Sequence, residues 1–78
     1  MNGLTLDNAR GLAALTVYEL WLRYFTLGGT ETRDDLGRYL RGDLEFGDGQ
    51  HDVVALALNE RFHELDLDHL VPYADDVN

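Results

Sequence analysis

The sequence predicts an all-α fold, a small bundle of three main helices with or without a short fourth at the N-terminus. Three observations predict it. Residues 16–29, TVYELWLRYFTLGG, hold the start and stop signals of a helix and are apolar around most of its circumference. Val54, Leu58, Phe62 and Leu65 recur at spacings of four, four and three, a helical stripe. Between them, residues 30–42 carry acids early, arginines late and a glycine at the end, which suits a helix dipole. The 78 residues make one domain, 1–78, with 1–5 and 74–78 expected to fray. A domain near this size buries roughly 60% of the surface its unfolded chain exposes, so stability is thin. There is no cysteine, and the core must come from packing or be shared with another chain.

In chain order, Thr5 starts a short helix over 7–15, with Leu6, Ala9 and Ala13 on one side. Gly11 weakens it by about 1 kcal/mol relative to alanine. Whether this piece joins the next helix is left open. Thr16 and Glu19 form a capping box for a helix over 17–27, closed by Gly28 or Gly29. Its polar positions, Glu19, Arg23 and Thr26, make one narrow stripe, and eight apolar residues cover the rest. A surface helix normally shows an apolar face little more than about 100° wide. This one is central or lies at an interface. A second helix spans 33–41, capped by Thr30 or Thr32, with Leu36, Tyr39 and Leu40 as its apolar face. After a loop in which Leu44 and Phe46 turn inward, Asp48 caps a third helix over 50–65. Pro72 sits in an irregular tail from which Leu70, Val71 and Tyr73 dock on the bundle. The expected buried set is Trp21, Tyr24, Phe25, Leu40, Val54, Leu58 and Phe62.

The net charge of −9 is unevenly placed. Residues 1–42 hold five acids against five arginines, whereas residues 43–78 hold ten acids against Arg61 alone. An acidic second half disfavours direct nucleic-acid binding and suits a basic protein partner, or serves solubility alone. Asp43, Glu45, Asp48 and Asp52 are the candidate acidic partner surface. No apolar run approaches the roughly 18 residues of a membrane span, and no basic-then-apolar leader is present. A cytoplasmic location, away from membranes, follows by exclusion.

Reaction chemistry has little to work with. Counted from Asp43, the sixth and twelfth positions of a calcium loop are Asp48 and Val54, where glycine and glutamate are required. His51 and His63 lie twelve residues apart, about 120° out of phase on a helix. His69 is in the tail, so no zinc spacing exists. Serine and cysteine are absent, and Gly47-Asp-Gly49 lacks the setting of a phosphate loop. A helix-turn-helix would place the third helix in the major groove, but it carries Asp52, Glu60 and Glu64 against Arg61. The expectation is therefore no enzyme, no catalytic residues, no cofactor and no metal.

The block ELWLRYFTLGG at 19–29, followed by Tyr39-Leu40 and by HDVVALALNER at 51–61, resembles an uncharacterised family of small bacterial helical proteins. The resemblance covers roughly 16–65. It implies a bacterial, cytoplasmic, helical domain with a regulatory role, and it carries over no catalytic residue. The expected function is a small acidic protein-interaction or regulatory adaptor acting by helix-face docking, as a homodimer. The alternative is an acidic inhibitor or nucleic-acid mimic that occupies a basic site on its target. Tyr18, Trp21, Leu22 and Phe25 are the interface candidates, because the wide apolar face of 17–27 exceeds what two thin neighbours cover.

Overall fold

Each helix begins where a threonine or glycine in extended conformation gives way to helical backbone. The computed structural model describes residues 5–67 and 71–77. It contains α1 (Leu6–Leu12), α2 (Val17–Thr26), α3 (Arg33–Leu40), α4 (Asp48–Glu64) and a closing 3-10 turn at Ala74–Val77, with no strand among the described residues. Thr5, Thr16 and Thr32 cap α1, α2 and α3, each hydroxyl accepting a backbone N–H three residues on. The capping box of α2 is complete: the Glu19 carboxylate accepts the Thr16 N–H at 2.8 Å. That bond, then the Thr16 hydroxyl, holds the Glu19 pKa below the ordinary glutamate value.

The boundaries differ from expectation at three places. The N-terminal helix ends at Leu12 and does not join α2, because Ala14 turns left-handed at φ 57. Arg10 holds this corner by donating to the Leu15 carbonyl at 2.7 Å and to Asp7 at 2.9 Å. Asp48 does not cap α4. Gly47 does so without a side chain, and Asp48 sits in the first turn, where its charge suits the dipole. The tail is also more ordered than expected, since Ala74–Val77 is helical and the Ala74 N–H donates to Asp52 at 2.8 Å. Expected fraying at 1–4 and 78, and docking of Leu70, lie outside the described residues.

Helix α2 packs against both α3 and α4. The core joins Leu20 and Tyr24 of α2, Leu36 and Leu40 of α3, and Val54, Ala55, Ala57, Leu58 and Phe62 of α4. Ala9, Ala13, Leu15 and Val71 close it from the two chain ends. Tyr24 is a latch within this core. Its hydroxyl donates to Gln50 and accepts the Thr30 and Glu31 N–H groups at 3.1 and 2.9 Å. Burial, chiefly, pushes its pKa up. The chain passes so close to the Tyr24 ring that a Cβ on Gly29 would lie 2.3 Å from a ring carbon. Gly28, at φ 104, makes the turn that brings it there.

Three side chains of α4 hold the tail. Asn59 exchanges two hydrogen bonds with Val71, at 2.7 and 3.0 Å, as a strand neighbour would. Asp52 takes the Ala74 N–H, and His51 Nε2 donates to the Pro72 carbonyl at 2.9 Å. His51 Nδ1 then accepts from the Tyr39 hydroxyl. Phe46 does turn inward, stacked on Tyr39 with ring centroids 4.2 Å apart.

Candidate functional site

The period of α2 decides which of its residues are left outside. Val17, Leu20, Tyr24 and Leu27 fall on one side and meet the core. Tyr18, Leu22 and Phe25 fall on the opposite side and are 49%, 41% and 59% exposed. Trp21 lies between and is half-buried. The expectation that Phe25 would be buried is therefore wrong, and that for Trp21 is met only in part. The reason is geometric: α3 and α4 cover one side of α2, and Phe25 points away from both. Leu65, at the end of the α4 stripe, is likewise exposed.

Nearly every other residue in this segment has an intrachain role. Glu19 caps the helix, and Leu20 is in the core. The Trp21 indole N–H donates to the Glu31 carbonyl at 3.0 Å. Arg23 forms a two-pronged pair with Glu64 of α4 at 2.8 and 2.9 Å. Thr26 donates back to the Leu22 carbonyl at 2.7 Å. Tyr24, Gly28 and Gly29 form the latch and turn. The outer rings make a ladder: Tyr18 to Trp21 at 6.4 Å and Trp21 to Phe25 at 5.3 Å between centroids, with planes 25° and 24° apart. Such stacking presents a preformed aromatic surface.

The two flanks of the ladder differ chemically. Toward α3 lies a groove of about 550 Å³ lined by Val17, Tyr18, Arg33, Asp34, Gly37, Arg38 and Arg41. The Arg33 guanidinium sits 5.4 Å over the Tyr18 ring, a cation–π contact. Toward α4, Leu22 borders shallow hollows lined by Glu19, Glu60, Arg23 and Arg61. Arg23 and Arg61 both reach Glu64, whose pKa falls to about 2, first through the Arg23 hydrogen bonds.

The acidic candidates separate. Asp43, Glu45 and Asp48 are exposed on the loop after α3 and the first turn of α4, and Asp43 lies 3.5 Å from Arg41. Asp52 is half-buried and engaged with Ala74, so its carboxylate belongs to the tail contact. Sequence reasoning missed the arginine groove, reading Arg38 and Arg41 as dipole partners alone. The spacing that reveals it is 33, 37 and 41, one line along α3 with a buried glycine in the middle. His51 is held between Tyr39 and Pro72, and His63 is exposed at the end of α4.

No family model, no curated protein and no solved structure matches this chain. Among the described residues, no helix is long and apolar enough to cross a membrane.

Proposed function

We propose that this chain is a small acidic protein-interaction module, a regulatory adaptor that docks through the outer face of α2 and pairs there with a second copy. The resemblance of residues 19–29 supports placing it in a bacterial cytoplasm, as a bundle of three main helices with α1 as an accessory. The observation that carries the reading is the exposure of Leu22 and Phe25, with Tyr18, within a segment whose other residues have intrachain roles. Contiguous apolar surface of this kind marks an interface. Aromatic residues are the usual anchors of such a face, and charged residues the usual rim.

A second copy is the occupant that fits best. Both flanks carry both signs, Arg33, Arg38 and Arg41 with Asp34 toward α3 and Glu19 and Glu60 with Arg23 and Arg61 toward α4, which suits a self-complementary surface. Sedimentation velocity across the micromolar range tests it on the wild type, Tyr18→Ala and Phe25→Ala. The wild type is expected to be dimeric. Each variant should weaken dimerisation at least about tenfold, in line with roughly 2 kcal/mol for an aromatic anchor, while keeping its helical circular dichroism. A wild type that stays monomeric across the range, or variants that dimerise undiminished, would overturn the reading.

A further inference from the structure

The six arginines fall into two sets. Arg10, Arg23 and Arg61 donate to a carbonyl or carboxylate of the chain at 2.7–3.0 Å and hold the fold together. Arg33, Arg38 and Arg41 line the α2–α3 groove instead. Arg38 and Arg41 approach Asp35 and Asp43 no closer than 3.7 and 3.5 Å, and their side chains are 56% and 58% exposed. Pairs at that distance and exposure add little to stability. Among the described residues, Glu45 and Asp48 have no ion pair at all, although both are exposed.

We infer that the arginine groove between α2 and α3 receives the acidic stretch 43–48 of a second copy, so that two equivalent arginine–carboxylate contacts close the dimer. This rests on the dimer proposed above and adds a polar contact beside its apolar face. Tyr18 belongs both to the ladder and to the groove, so a copy seated on the ladder reaches the arginines without a second docking event. The acidic stretch directly follows α3, beside the Arg41 end of the groove. A two-fold arrangement makes each chain both give and receive, and the Arg38–Arg41 part of the groove is the part away from Asp34 and Asp35 in the first turn of α3.

Each copy carries −9, and salt confines their mutual repulsion to about a Debye length, roughly 8 Å in ordinary buffers. The contact pairs then decide register and specificity.

A charge swap on the full chain tests the inference. One variant carries Arg33→Glu and Arg38→Glu, and the other Asp43→Lys and Glu45→Lys. Alone, each opposes like charges at both contacts, and its dimer should weaken by at least about tenfold. Mixed in equal amounts, the two should form a heterodimer approaching wild-type affinity, read by sedimentation with one species labelled. If both variants dimerise as the wild type does, or if mixing yields no heterodimer, the groove assignment is wrong while the α2 face still stands. A monomeric wild type would remove both. Helical circular dichroism checks folding. The neutral pair, Arg38→Gln and Glu45→Gln, repeats the test with a smaller expected weakening should a reversal unfold the chain.

Discussion

Gly29 has no room for a methyl group. Its backbone lies against the face of the Tyr24 ring, and a Cβ there would lie 2.3–2.4 Å from three ring carbons. The ring cannot retreat, because its hydroxyl is fixed by Gln50, Thr30 and Glu31. Gly29→Ala should therefore destabilise the fold by about 1–3 kcal/mol, the usual cost of overpacking. Gly49→Ala, inside α4 where a Cβ meets nothing within 4 Å, serves as the control. Thermal unfolding of both variants checks the contrast. Equal midpoints would mean that the turn relaxes freely around Tyr24.

Among the helices, the Arg23–Glu64 pair links α2 to α4, and pH should report on it. The Glu64 carboxyl sits at about 2 when folded, below its ordinary value of 4.5. Its contribution is thus complete above pH 4.5 and is lost as pH falls from there through about 2. Unfolding midpoints measured from neutral pH to pH 2 should fall less steeply for Glu64→Gln than for the wild type in that window. Parallel curves would show that the pair does not affect stability. The helices themselves were legible in the sequence to within a residue or two wherever threonine, acid and glycine signals stood at their ends. What could not be read were the ends without such signals. Ala14 takes left-handed backbone at φ 57, a position that glycine usually marks, so the stop after Leu12 left little trace. Gly47 caps α4 by backbone conformation alone, which made Asp48 look like the cap.

For the molecule as a whole, the candidate face was legible and its depth was not. The excess of apolar positions in 17–27 pointed to Tyr18, Trp21, Leu22 and Phe25 as a surface needing cover. Which of them stay outside depends on where α3 and α4 cross α2, and a single sequence does not reveal that. Trp21 turned half inward because its N–H found the Glu31 carbonyl ten residues away. The arginine groove arises only when α3 lies beside Tyr18, and Asp52 left the acidic surface because the tail folded back onto it. The proposed seat of a second copy is the outer face of α2, and isotope-filtered NMR on a mixture of labelled and unlabelled protein tests it. Intermolecular contacts are expected from the Tyr18 and Phe25 rings and the Leu22 methyls. Dimers whose intermolecular contacts arise elsewhere, with none from these three side chains, would contradict it.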